Sequence, residues 1–474
     1  MTAPAHIQSE REIMRATRKT VGRRPRRTLL VVGVAAGALL LAGLSISGAT
    51  ASTDRAKTSP SNEQSRIQAA LQKPTTLTFW GWAPQTAPVV AAFEKAYPMV
   101  KVNYIDMQTN YNEYAKLQTA LKANSGIPDV VQFDYHALPQ FVLSKAVLNL
   151  KNYGFASFSK TFTKIAWSQI NVHGGLYGVP QDTGPLALFY NQTIFNKYGL
   201  AVPKTWSQYV ADAVKLHQAD PTEYITADSG DPTVEEPLIW QAGGRPFQFK
   251  GTVGTVNLAD AGTSKWASMY GQLLQKHLVL TTTPLYSPNW VTALQNGTIA
   301  SMIFGGWGVG TLEYFVPNMA GQWRVAPIPQ YTAGADASAQ MGGSSTSVMA
   351  ASQNKLAAIG FAEFFSTNPA ALAAWAQNGG FPSQRSVINS SAWLNEPIAE
   401  FGGQQANQIL ANSEKHSLNG WQYLPFDVYA DSVFSDAVGP AFAGTISLKQ
   451  GLLAWQKLIV SFGNSEGFTV NKHK

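Results

Sequence analysis

Leu77-Thr78-Phe79-Trp80 opens the stretch that decides the fold, an apolar β run followed by a helix and two more β runs before Phe133. Thr86 offers an N-cap, and Pro88 falls in the first helical turn, where a missing N–H costs little. Val89, Ala92, Phe93 and Ala96 recur at i, i+3, i+4 and i+7, one apolar stripe of a helix. Tyr97-Pro98 ends that helix, because the residue before a proline avoids the α region. Val100–Ile105 alternates into a second strand, residues 112–123 form a second helix, and Asp129-Val130-Val131-Gln132-Phe133 makes a third strand. Strands separated by helices of this length indicate βαβ units and a mainly parallel sheet.

The α/β pattern continues toward the C-terminus. Ala187–Tyr190 reads as a strand, and Thr205-Trp206-Ser207-Gln208 is a capping box that opens a helix running to Gln218. Residues 264–277 and 289–296 are expected to be helical and Ile299–Phe304 a strand. Residues 354–377 form a helical pair broken at Asn368-Pro369, and 448–462 a last helix. Toward the N-terminus, residues 52–73 are polar and lack aromatics. They read as a tether with a short helix at Arg66–Leu71, so the folded part is expected to begin at Pro74.

Before the tether lies Leu29–Gly48, an uncharged run of small and apolar residues. A basic region precedes it and Ala49-Thr50-Ala51 follows. Basic region, apolar region and small-residue site in that order make 1–51 an export signal. Arg26-Arg27 resembles a twin-arginine signal, with Pro25 where Ser or Thr is usual. The rival reading is an uncleaved anchor, since the run is long enough to span a bilayer.

Charge follows the same division. The 474-residue chain carries a formal +7, but residues 1–51 hold eight basic and two acidic side chains, a net of +6. The remaining 27 basic and 26 acidic groups leave a body of net +1. A phosphate-backbone binder needs a basic face, so nucleic-acid binding is excluded. There is no cysteine, which removes disulfides, thiolate metal sites and a lipid-modified cysteine anchor.

Catalytic chemistry is sparse. The seven histidines are scattered without metal-ligand spacing, there is no Gly-x-Ser-x-Gly elbow, and Gly305-Gly306-Trp307-Gly308-Val309-Gly310 fits neither phosphate-cradle spacing. No cofactor, catalytic residue or metal ligand is assigned. Glu235-Glu236, the adjacent acidic pair of the body, reads as a solvated helix start before Pro237; its neighbours on a helix do not converge as a glycosidase pair must. All thirteen tryptophans lie at or after position 80, and Trp82, Trp240, Trp307 and Trp421 sit beside Gly or Pro in expected loops. Such residues suit stacking on the C–H faces of a small ligand, with packing in the core as the bland alternative.

The order of motifs resembles the extracellular solute-binding proteins of ABC importers, in the group that includes maltose- and other sugar-binding proteins. The resemblance rests on Leu77–Trp80 with Phe93–Pro98, on Gly126-Ile127-Pro128-Asp129-Val130-Val131, and on Tyr177-Gly178-Val179-Pro180-x-Asp182 followed by Leu188-Phe189-Tyr190-Asn191. It extends through Pro203-Lys204-Thr205-Trp206, Gly297–Met302 with Gly306-x-Trp307, Pro327-Ile328-Pro329 and Gly342-Gly343. It implies a type II periplasmic-binding-protein fold, two hinge-connected α/β lobes with a central ligand cleft. Lobe one would be 74–183 plus 343–381, and lobe two 184–342 plus 382–474. The implied function is non-enzymatic capture of a carbohydrate outside the membrane by a monomer that delivers it to permease subunits. A glycerol phosphoester, polyamine or peptide is the alternative solute, and a secreted glycosidase the alternative class. Carried onto this sequence, the resemblance nominates Asp134 and Asp182 as hydroxyl acceptors, with a helix cap and a hinge contact as their respective alternatives, and Trp307 as a stacking ring. Trp82, Tyr135, Trp240, Gly343 and Trp421 join them as ligand contacts, with Arg385 a weaker candidate at a crossing.

Overall fold

The computed structural model describes residues 60–472. The export-signal region lies outside the described residues. The first three strands form as their patterns predict: Thr75–Gly81, Val100–Asp106 and Val130–Asp134, with the helices Thr86–Ala96 and Asn110–Ala123 between them. Thr75–Gly81 is central and pairs in parallel with both partners. Ser344–Val348 then adds antiparallel to Val130–Asp134, and Val179–Pro180 closes the five-stranded sheet on the far side. Thr86 is the first residue of its helix rather than the cap; Gln85 precedes it without a side-chain cap bond.

The second sheet departs from the parallel expectation. Ala187–Asn191 lies between Ser301–Phe304 and Trp323–Pro327 and is antiparallel to both. Helices pack around it. Trp206–Ala219 starts at the expected capping box, with both reciprocal bonds between Thr205 and Gln208 formed. Leu448–Ser465 starts at a second box, Ser447 with Gln450.

Two separate hydrophobic cores result. One gathers Ile67, Leu77, Phe79, Phe93, Val131 and Phe133 with Phe361 and Trp375, and the other gathers Leu188, Phe189, Trp206, Trp266, Trp290, Trp323 and Trp455. The chain crosses between them three times. Asp182 bridges to Pro382 and Pro185 to Gln340, so all three crossings run side by side. Gly184 is required there: a Cβ would lie 1.9 Å from the Met341 carbonyl oxygen.

The short helix expected at Arg66–Leu71 forms and is longer, but the second half of the segment is packed rather than a tether. Pro60–Ala70 is a helix, and Ile67 and Leu71 are fully buried in the first core. Leu71 packs where Gly360 leaves room, and Gln64 Nε2 donates to Glu363 Oε1 at 3.0 Å. An amphipathic spacing of so few apolar residues in a polar segment was too weak a signal to read as packing.

Candidate ligand-binding site

Ligands of open α/β sheets bind beyond the carboxyl ends of the strands. At that end of the first sheet, Asp134 closes its strand. Its Oδ2 accepts from Asn110 Nδ2 at 2.7 Å and from Tyr114 Oη at 2.9 Å, and its own amide donates to Tyr114 Oη at 2.9 Å. Trp82, half-buried, meets the Tyr114 ring edge-on with centroids 5.9 Å apart. Gln132 Oε1 accepts from the amide of Trp82 at 3.2 Å and so fixes the loop after the first strand.

Tyr135, Asp182 and Gly343 come together at the crossings. Tyr135 Oη donates to the Asp182 carbonyl at 3.0 Å, and the Tyr135 amide to the Gly343 carbonyl at 3.0 Å. Asp182 Oδ1 accepts from the Ser344 amide at 2.6 Å. Burial raises the Asp182 carboxyl to about 7, opposed by that amide. Gly343 has φ +96°, and a Cβ would press on the Tyr135 ring at 2.8 Å. This trio fastens the crossing strands to one another. Arg385 lies beyond them, its amide bonded to the Thr161 carbonyl at 2.9 Å.

The tryptophans of the second core part company. Trp307 is half-buried beside Phe304, and its Nε1 donates to the Met341 carbonyl at 2.9 Å across the crossing. Trp240 lies in the helix Pro232–Gln241, not in a loop, and is fully buried. It stacks on Trp421 with centroids 5.3 Å apart and planes 7° from parallel, and its Nε1 donates to the Leu418 carbonyl at 2.6 Å. These two rings are each other's partner, and Trp421 is itself only 7% exposed.

Two tyrosines that the sequence reading passed over carry exposed rings instead. Tyr111 is 48% exposed, and Tyr286 is 46% exposed. Desolvation drives the Tyr111 phenol upward, reinforced by Asp231, Asp431, Asp134 and Glu236. The Tyr286 phenol moves the same way, through burial and then Asp231 and Asp134. Tyr111 lies on the first-sheet helix Asn110–Ala123, and Asp231, Asp431 and Glu236 of the second core act on its phenol electrostatically. Tyr286 holds φ +63°, a strained setting for a bulky residue, and packs on Trp290 and Phe315. Position was the available signal: Tyr111 lies in the first turn of the helix that follows a strand end.

Glu235-Glu236 is a further correction. Both are buried rather than solvated. They do diverge: Glu235 faces Asp228, whereas Glu236 faces Asp427 and Asp431. From the first core, His136 Nε2 reaches Asp431 Oδ2 at 3.4 Å, so titratable groups of both cores meet at one junction. Tyr423 packs against both cores there.

The family model for bacterial extracellular solute-binding proteins matches residues 83–372. Among solved structures, the chain is similar to an ABC transporter-associated binding protein of Bifidobacterium animalis subsp. lactis in complex with β-1,6-galactobiose. The two are 35% identical with a TM-score of 0.79, covering 84% of this chain and 99% of that one. The galacto-N-biose/lacto-N-biose I-binding protein of Bifidobacterium longum shares the fold at 22% identity and a TM-score of 0.73, covering 84% and 98%. An arabinooligosaccharide-binding protein of Halalkalibacterium halodurans is 22% identical over 80% of this chain and 88% of its own. A match over more than half of the chain, joined to these folds, decides the class: this chain belongs to the bacterial extracellular solute-binding proteins, with the two-lobed α/β fold of the maltose-binding group.

Proposed function

We propose that this chain is the extracytoplasmic component of an ABC importer and that it captures a neutral saccharide between its two cores, which act as lobes of a hinged clamp. The observation that carries the reading is the pair of exposed rings Tyr111 and Tyr286, whose phenols both feel Asp134 of the first core and Asp231 of the second. Aromatic faces stack on sugar C–H surfaces, and a carboxylate accepts two hydroxyl hydrogen bonds at once. Asp134, Trp82 and Trp307 complete the contact set. Asp182, Tyr135 and Gly343 serve as the hinge. Relatives that bind galactobiose, lacto-N-biose and arabinooligosaccharides support the ligand class. No lysine or arginine forms an ion pair with Asp134, Asp231 or Asp431 among the described residues. That charge balance disfavours a phosphoester or other anionic solute.

Calorimetric titration with β-1,6-galactobiose, lactose and arabinotriose tests this reading. At least one should bind one-to-one, and Tyr111→Ala and Tyr286→Ala should each weaken binding roughly tenfold, the scale of one lost aromatic contact. Unchanged affinity in both variants would refute the assignment of the cleft.

A further inference from the structure

Glu236, Asp427 and Asp431 place one carboxylate oxygen each within 4.8 Å of one another. Asp427 and Asp431 stand four apart on the helix Asp427–Ser432, so they share its face. Glu236 reaches them from the helix Pro232–Gln241, whose start is pinned by Asp231 Oδ1 accepting from the Thr233 amide at 3.0 Å. The cleft reading above involves Glu236 and Asp431 as charged neighbours of Tyr111 and gives Asp427 no role.

Their surroundings leave them short of partners. Asp427 is wholly buried, and neither of its carboxylate oxygens has a hydrogen-bond partner; Oε1 of Glu236, itself 5% exposed, has none either. Three ion pairs occur among the described residues, and just one, His136 with Asp431, touches the cluster. Burying an ionised carboxylate without a donor or a counter-charge is strongly unfavourable. Burial also drives all three carboxyls upward, Glu236 further through Asp431 and Asp427 through Glu236.

We propose that Glu236, Asp427 and Asp431 hold a hard divalent cation at the junction of the two cores, with His136 orienting Asp431 from behind. The spacing suits it. A cation bound at ~2.3–2.6 Å spans oxygens up to ~4.6–5.2 Å apart on its opposite sides, and an all-oxygen donor set favours calcium, magnesium or manganese over softer metals. The competing arrangement is a cluster of carboxyls that share protons. The two differ in what neutralises Asp427.

The test is calorimetric titration of the purified chain, dialysed free of metal with a chelator and without sugar, using the chlorides of calcium, magnesium, manganese and zinc separately. One-to-one binding of at least one of the first three is expected, with a raised Tm. Asp427→Asn and Asp431→Asn should each lose binding ~100-fold or more, while His136→Gln loses ~10-fold, as expected of an outer partner. Glu235→Gln, which alters the neighbour facing Asp228, should bind as the parent does. Circular dichroism shows which variants are folded. Absence of stoichiometric binding of calcium, magnesium and manganese by the parent chain overturns the proposal, and so does undiminished binding by a folded Asp427→Asn. The sugar titrations are separate, so either reading can fail without the other.

Discussion

Glu363 sits between the helices Pro60–Ala70 and Lys355–Thr367, where it accepts from Gln64, and burial pushes its carboxyl up to about 7. A carboxyl raised above its unfolded value contributes stability fully at pH below that unfolded value, and loses it as pH rises through the folded one. Its contribution is therefore complete below the ordinary carboxyl value of 4.5 and gone above about 7. Glu363→Gln keeps the hydrogen bond and removes the titration. It should match the parent at about pH 5 and exceed it by ~1–3 kcal/mol at about pH 8, since one pKa unit is ~1.4 kcal/mol. Thermal melts at the two pH values check this, and an equal difference at both would contradict it. Asp182 illustrates a different outcome. The signature around it marks an acidic residue at the crossing, where a hinge contact is the alternative to a ligand contact, but its partner Ser344 is 162 positions away in sequence, so the partner was not legible. Asp182→Ala should cost ~1–3 kcal/mol through the orphaned Ser344 amide, measured by denaturant unfolding.

At the scale of elements, local signals were read well and packing signals poorly. Capping boxes, prolines at helix starts and alternating strands are written in neighbouring residues, and Trp206–Ala219 begins where Thr205 and Gln208 require. The helix Pro60–Ala70 carries only a weak pattern, because Ile67, Ala70 and the following Leu71 are its apolar side chains on the core. A chain beginning at Pro74 should lose several kcal/mol, taking ~1.5–3 kcal/mol for each buried aliphatic side chain. Its Tm should fall by several degrees, and an unchanged Tm would show the helix to be dispensable. The antiparallel pairing of the second sheet is not written in its strands, since strand direction depends on which strands meet rather than on their own composition. Among turns, Gly184→Ala drives a methyl into the Met341 carbonyl; it should destabilise by ~1–3 kcal/mol or more, the usual cost of overpacking.

For the whole molecule, the charge arithmetic and the geometry converge. Six of the seven net positive charges lie in residues 1–51, leaving a nearly neutral body. In that body His136 and Asp431 meet at the junction of the two cores, where Tyr423 packs against both. The site was half legible. Asp134 and Trp82 follow strand ends and could be placed by position. Tyr111, Tyr286 and the Glu236–Asp427–Asp431 group are joined only by the tertiary fold. Three crossings paired side by side through antiparallel bridges offer a hinge, and hinge closure is the established way two-lobed binding folds respond to ligand. Small-angle scattering should then register a smaller radius of gyration with ligand than without. The most direct test of the central claim is calorimetric titration of the purified chain with a panel of neutral di- and oligosaccharides. Saturable one-to-one binding at ~micromolar Kd or tighter, lost in the Tyr111→Ala/Tyr286→Ala double variant, is the predicted result. Binding of a phosphoester or peptide with no response to any neutral saccharide would contradict it.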